Sequence, residues 1–160
     1  MQRSPNNTNS YLIWSGMATV AAAVLHIATI FGGPAWYRMI GATEPIIRMA
    51  ARGHATPAIV CVFAAGLLFV CACFAFSGAG LIRRLPLLRT ALVLISAGLL
   101  LHGLAFIPLV LISPQMMMPV YDGQGINANL IIISVICTVA GMGYALGTRQ
   151  AWHGAVRPLA

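Results

Sequence analysis

Four long apolar runs, separated by shorter polar segments, account for most of this chain of 160 residues. The runs cover about residues 11–31, 57–77, 87–112 and 128–149. As an α-helix, each run is long enough to cross about 30 Å of hydrocarbon, because a helix rises about 1.5 Å per residue. The first run is also longer than the apolar region of a cleavable signal peptide, which has about 7–15 residues. The pattern therefore predicts an all-α polytopic membrane protein, built as one domain around a bundle of four transmembrane helices.

The connection between the first two runs, residues 32–56, is too long for a simple turn. Two glycines and Pro34 end the first helix, and Trp36 and Tyr37 are typical of the aromatic belt at a membrane surface. Residues 44–52 place apolar side chains at helical spacing. This spacing predicts a short amphipathic helix that lies in the headgroup layer of the outer surface.

Composition agrees with a membrane location and excludes a nucleic-acid partner. The chain is 60% hydrophobic and 7% charged, whereas an ordinary soluble domain has about 25% charged residues. The net charge is +7, and all nine basic residues are arginines. They flank the apolar runs, where a membrane protein needs them for orientation and headgroup contact. We therefore expect lipids, and no nucleic acid, around this charge.

The distribution of arginine predicts the orientation of the chain. An even number of spans puts both termini on one side, and that side carries Arg3, Arg83, Arg84, Arg89, Arg149 and Arg157. The opposite side carries Arg38, Arg48 and Arg52, together with the two acidic residues, Glu44 and Asp122. The positive-inside rule then places both termini in the cytoplasm. We expect the inner membrane of a bacterium.

Small and polar side chains recur at three- and four-residue steps along three of the runs. They are Ser15, Thr19, Ala22, His26, Thr29 and Gly33 in the first, Ala91, Gly98, His102 and Ala105 in the third, and Ser134, Thr138, Gly141, Ala145 and Thr148 in the fourth. Helices in lipid associate through small residues and interhelical hydrogen bonds. These faces are therefore predicted to turn inward and to hold both histidines at one depth, roughly 21–22 Å from the inner surface.

An ionisable residue inside a span is a candidate functional site, and two interpretations of the histidines need no cofactor. In the first, each histidine is neutral and hydrogen-bonds across the bundle, for instance to Thr29, Ser134 or Tyr144. In the second, the histidines line a pocket for a lipid, a quinone or another hydrophobic molecule, open to the periplasmic side. Pro108 favours such a pocket by kinking the third helix. The predicted lining is His26, Thr29, His102, Ser134, Thr138 and Tyr144.

A third interpretation is a redox protein. Paired imidazoles on facing helices are the axial ligands that a b-type haem needs. His26 and His102 would bind the iron, and the outer arginines Arg38, Arg48 or Arg52 would lie near the propionates.

Other chemistry is weakly represented. His54 and the run Met116, Met117 and Met118 are the soft ligands that a copper site would use. The four cysteines lie inside apolar runs and show no metal-binding spacing. No catalytic motif is present in the sequence, so we expect a protein that is not an enzyme. Gly143 and Gly147 form a GxxxG pattern, which serves either the bundle itself or association with another subunit.

Two segments carry a resemblance to known proteins. GGPAWYRMIGATE, residues 32–44, and SGAGLIRRLPLLR, residues 77–89, resemble a group of short bacterial integral membrane proteins known only as hypothetical proteins. The overall outline is also similar to DoxX-like four-helix membrane proteins. The resemblance implies a four-span protein of the inner membrane and supplies no catalytic residue. We therefore expect a binding, transport-accessory or assembly component, with the haem protein as the alternative.

Overall fold

The computed structural model describes residues 9–112 and 128–154. Within them the chain forms six helices and no strand. The long ones are α1 (Ser10–Gly32), α4 (Thr56–Ala79), α5 (Leu88–Ile112) and α6 (Ala128–Gly154), and the short ones are α2 (Pro34–Met39) and α3 (Glu44–Ala51). The prediction of an all-α, four-helix membrane fold is confirmed.

The long helices have the length and hydropathy that a membrane span requires. Large apolar side chains cover the outside of the bundle, among them Phe31, Phe63 and Leu87, which are 85%, 74% and 80% exposed. A soluble protein does not leave so continuous an apolar surface in water. The chain is a multi-pass membrane protein whose outer surface faces lipid.

Local chemistry sets the ends of the helices. The side chain of Asn9 accepts a hydrogen bond from the Leu12 amide at 3.3 Å and so caps the start of α1. Gly33 and Gly80, with φ of 70° and 81°, end α1 and α4 in conformations that side chains rarely adopt. Beyond α4, the Ser77 hydroxyl donates to the Arg83 carbonyl at 3.0 Å and accepts from the Leu85 amide at 2.9 Å. This pair of bonds fixes the turn into α5.

The four long helices form two antiparallel hairpins, α1 with α4 and α5 with α6. The hairpins join through α1 against α6 and α4 against α5, and α4 also touches α6 across one diagonal. This arrangement puts α1 and α5 at opposite corners of the bundle. The start of α1 and the end of α6 lie at the same end, because the Asn9 side-chain amide donates to the Gly147 carbonyl at 2.5 Å.

Two buried clusters hold the bundle at its opposite ends. Near the start of α1, Leu12 and Tyr144 are both fully buried and pack with Ala75, Ala79 and Leu92. At the other end, Tyr37 and Ile47 pack against Cys61 of α4. The predicted amphipathic helix is thus present as α3, and its apolar side packs on α2 and α4. Its polar side carries the Glu44–Arg48 ion pair, 3.7 Å long.

Candidate functional site

The inner face of α1 carries hydroxyl groups, and two of them donate hydrogen bonds within the same helix. Ser15, Thr19 and Thr29 are at most 5% exposed, which confirms the predicted inward face at these positions. The Thr19 hydroxyl donates to the Ser15 carbonyl at 2.7 Å. The Thr29 hydroxyl donates to the Leu25 carbonyl at 2.8 Å. Hydroxyls bonded in this way already have an acceptor and do not need a ligand to provide one.

His26 makes a hydrogen bond within its own helix. Its Nδ1 lies 2.8 Å from the Ala22 carbonyl, and the side chain is half-buried. A carbonyl oxygen can only accept, so this contact requires the proton on Nδ1. The lone pair of the neutral ring then lies on Nε2, which is the arrangement that a metal-ligating histidine uses.

His102 does not face the interior, and the prediction that both histidines point inward is wrong at this position. Its side chain is exposed, as are Gly98 and Ala105 on the same predicted face. The packed face of α5 carries Leu92, Ser96 and Gly103 instead.

Gly103 explains why α5 turns this face toward α6. A Cβ at Gly103 would lie 2.8 Å from the Ser134 carbonyl oxygen and would also overlap the Thr138 hydroxyl. Nothing lies within 4 Å of a Cβ at Gly98. The two glycines are about 140° apart around a helix of 3.6 residues per turn, so only one of them can meet α6. Gly103 is the position at which the backbone of α5 comes close to α6.

The predicted pocket residues therefore lie in separate environments. His26 and Thr29 belong to α1, and His102 faces outward from the opposite corner. The Thr138 hydroxyl donates to the Ser134 carbonyl at 2.8 Å, at the contact with Gly103. The structure does not bring the six predicted residues together as one lining.

Tyr144 belongs to a buried polar cluster between α1 and α6. Its hydroxyl lies 3.1 Å from that of Thr19. Since Thr19 gives its only proton to Ser15, the phenol is the donor in this contact. The Thr148 hydroxyl donates to the Tyr144 carbonyl at 2.7 Å. Among the described residues no buried side-chain nitrogen or oxygen lacks a partner, so this cluster is complete without a ligand.

Gly143 and Gly147 serve the same contact between α1 and α6. A Cβ at Gly143 would overlap the Ser15 hydroxyl, and one at Gly147 would lie 2.6 Å from Cγ of Leu12. The GxxxG face thus packs inside the bundle. Association with a second subunit stays a prediction.

The haem arrangement is only half present. His26 has a free Nε2, but His102 faces outward from the opposite corner of the bundle. Arg38, Arg48 and Arg52 are exposed on α2 and at the end of α3. The haem interpretation stays a prediction, with one imidazole half-buried on α1 and the other exposed on α5.

The copper interpretation stays a prediction, because three of its four candidate ligands lie outside the described residues. His54 is exposed in the connection to α4, while Met116, Met117 and Met118 lie outside the described residues. Within residues 9–112 and 128–154, no group of three or more His, Cys, Asp or Glu side chains could hold a metal ion.

A groove between α5 and α6 is the cavity that the sequence analysis missed. Its volume is about 450 Å³, and it is lined by Val93, Ser96, Ala145, Thr148, Arg149 and Trp152. Ligand sites in proteins have volumes of about 300–1,000 Å³. The Arg89 guanidinium lies 5.0 Å from the centre of the Trp152 ring, at cation–π distance. The groove opens where α5 begins and α6 ends, at the end opposite to the predicted periplasmic pocket.

The groove lies at a strongly basic end of the bundle. Arg83, Arg84, Arg89 and Arg149 are all exposed there. Glu44, at the other end, is the only acidic residue in the part of the chain that the structure describes, since Asp122 lies outside it. The sequence could have indicated this groove. If the third and fourth runs are antiparallel neighbours, the start of the third lies beside the end of the fourth.

The chain matches no family model, no curated protein and no solved structure. Its resemblance to short bacterial membrane proteins and to the DoxX-like outline stays a prediction. Function is therefore inferred from the geometry of this chain.

Proposed function

We propose that this protein is a non-enzymatic component of the bacterial inner membrane that binds an amphiphilic small molecule between α5 and α6. The observation that carries the proposal is the groove, which combines apolar walls with arginine and tryptophan at its mouth. The ligand class is that of the expected lipid or quinone. A role in transport or in the assembly of other membrane proteins would build on this binding.

The groove is placed where a membrane amphiphile can enter it. Val93 and Trp152 are 44% and 41% exposed, so the groove opens sideways on the lipid-facing surface. It begins close to the first turn of α5 and therefore lies near the headgroup layer. With both termini in the cytoplasm, as the arginine distribution predicts, this layer is the cytoplasmic one.

The other polar residues of the bundle already have partners. Thr19, Thr29, Thr138, Tyr144 and Thr148 all make hydrogen bonds with protein atoms. Of these bonds, the one between Tyr144 and Thr19 joins two helices. Thr29, Thr138 and Thr148 donate to carbonyls of their own helices. At the groove mouth, by contrast, the structure gives Arg149 no partner among the described residues. The groove is thus the better candidate for binding.

Native mass spectrometry in mild detergent tests the proposal. Ala145→Trp would fill the groove, because Ala145 is one of its lining residues. Val139→Trp is the matched control on the same helix, at a position 64% exposed to lipid. We expect wild type and Val139→Trp to retain a lipid or quinone and Ala145→Trp to lose it. If wild type retains no such molecule, or the filled groove retains it equally, the proposal is wrong.

A further inference from the structure

We infer that the groove selects an anionic phospholipid, whose phosphate binds Arg149 and Arg89 while its acyl chain lies along α5 and α6. This inference rests on the proposed function and specifies the chemical class of the ligand. It follows from the charge at the mouth of the groove, from the apolar character of its walls, and from where the groove ends.

The mouth carries cationic groups that no carboxylate of the described residues neutralises. Arg149 lines the groove, and Arg89 is held at its edge by the Trp152 ring. Neither arginine has an acidic partner within the described residues, where Glu44 pairs with Arg48 at the far end of the bundle. The first turn of α5 also contains no acidic residue, so the positive end of its dipole adds to the same field. This charge would attract an anion from outside.

The chemistry of arginine favours a phosphate group. A guanidinium presents its N–H donors in a planar fork that pairs with phosphate oxygens two at a time. Trp152 holds Arg89 by cation–π contact, and the Arg89 side chain is exposed. Basic sites between transmembrane helices on the cytoplasmic side bind anionic lipid headgroups in this way.

The walls of the groove favour an acyl chain over a second polar group. Ser96 and Thr148 are 8% and 6% exposed. Their hydroxyls donate to carbonyls of their own helices, Ser96 to Val93 at 2.9 Å and Thr148 to Tyr144 at 2.7 Å. With these donors used, the deep wall offers mainly the apolar surface of Val93 and Ala145. A free phosphate ion would leave that surface uncovered, and a neutral quinone would bring no negative charge to the arginines.

Large apolar side chains of the same two helices are exposed to lipid. Leu94 and Leu146, which follow the lining residues Val93 and Ala145 in the chain, are 66% and 44% exposed. A volume of about 450 Å³ accommodates a headgroup and the first part of an acyl chain. The remainder of the chain would lie on these leucines, in the lipid layer itself.

Nanodiscs of defined composition test the headgroup. The protein is placed in phosphatidylcholine that contains a minority of phosphatidylglycerol, and the lipids that stay bound are identified by native mass spectrometry. We expect phosphatidylglycerol to be enriched over its share of the disc. Arg149→Gln and Arg89→Gln should each reduce this enrichment about fivefold, since a basic residue near the surface contributes about 1 kcal/mol.

Two control variants distinguish binding of the lipid in the groove from its attraction by the net charge of the protein. Arg84→Gln removes one exposed arginine from the same end without changing the lining, and it should lower the enrichment less than Arg149→Gln does. Arg149→Lys keeps the charge but loses the planar fork, so it should retain only part of the effect. An equal loss in Arg84→Gln would overturn the inference, because the binding would then follow net charge alone.

The remaining outcomes distinguish this inference from the proposed function. Retention of phosphatidylcholine and phosphatidylglycerol in proportion to the disc would leave an amphiphile site standing and refute its selectivity for anions. Displacement of the bound lipid by inorganic phosphate would identify a site for free phosphate and refute the lipid assignment. Absence of any retained lipid, in wild type as in Ala145→Trp, would refute both.

Discussion

The phenol of Tyr144 lies 3.1 Å from the Thr19 hydroxyl, across the buried contact between α1 and α6. The tyrosine is completely buried, and Thr19 is 5% exposed. Since the threonine proton is given to the Ser15 carbonyl, the tyrosine donates in this contact. The bond therefore links the two hairpins at a point where water cannot replace it.

Tyr144→Phe should lower the free energy of unfolding by about 0.5–1.5 kcal/mol. The ring still fills its space, and Thr19 keeps its bond to Ser15, so only the interhelical bond is lost. Unfolding in mixed detergent micelles measures this change. Tyr11→Phe is the control, because Tyr11 is 51% exposed, and it should leave stability unaltered.

A double-mutant cycle with Thr19→Val isolates the bond itself. We expect a coupling energy of about 0.6 kcal/mol, the average for hydrogen bonds between membrane helices. Additive effects of the two substitutions would show that the hydroxyls do not interact in the folded protein.

Alanine substitutions at the two glycines of α5 are expected to have opposite effects on stability. Gly103→Ala should destabilise the bundle by about 1–3 kcal/mol, because its Cβ would lie 2.8 Å from the Ser134 carbonyl oxygen and force α5 and α6 apart. Gly98→Ala meets nothing within 4 Å. It should be neutral or stabilising by up to about 1 kcal/mol, since alanine is the better helix former. Thermal unfolding of both variants in one detergent measures the difference, and the reverse order would mean that α5 presents its other face to α6.

This pair also shows where prediction from sequence reached its limit. The four spans were predicted within a few residues, as the ranges 11–31 and 57–77 against Ser10–Gly32 and Thr56–Ala79 show. Runs of apolar residues decide where a helix crosses lipid, because each polar backbone group must be bonded inside it. They do not decide which side of the helix meets a neighbour.

The face of α5 illustrates the reason. Gly98 and Gly103 are equally small, and choosing between them requires knowledge of the residues on α6 that approach them. The inward face of α1 was easier to predict, since Ser15, Thr19 and Thr29 share one side of their helix. The six-residue α2 and the groove beside Trp152 depend on contacts between segments, and neither has a periodic signal of its own.

His102 provides a third test, which also bears on the haem alternative. The side chain is exposed on the bundle surface, so His102→Leu should change the free energy of unfolding by less than about 0.5 kcal/mol. The absorption spectrum of membrane-extracted protein is the second measurement. A Soret band that disappears in both His26→Ala and His102→Ala would contradict the outward placement of His102 and establish the redox interpretation.

The buried phenol of Tyr37 is expected to make the folded protein less stable at alkaline pH. It is 4% exposed in the cluster with Ile47 and Cys61. Burial, with a smaller contribution from Cys61, raises the pKa of Tyr37 above its ordinary value of 10.0. Below that pH the phenol is neutral in both the folded and the unfolded chain. Above it the unfolded chain loses the proton first, so the stability associated with the buried phenol is lost as the pH rises toward the folded-state pKa.

Tyr37→Phe should therefore lose less stability than wild type as the pH is raised beyond 10.0. Unfolding in detergent across this range measures the difference between the two proteins, which cancels the effects of pH that both proteins share. Trp36→Phe controls for a changed aromatic residue on α2, because Trp36 is 41% exposed and carries no acidic proton in this range. It should follow the wild-type curve. Parallel curves for Tyr37→Phe and wild type would mean that the phenol reaches water in the folded protein, and that α2 and α3 do not close over it.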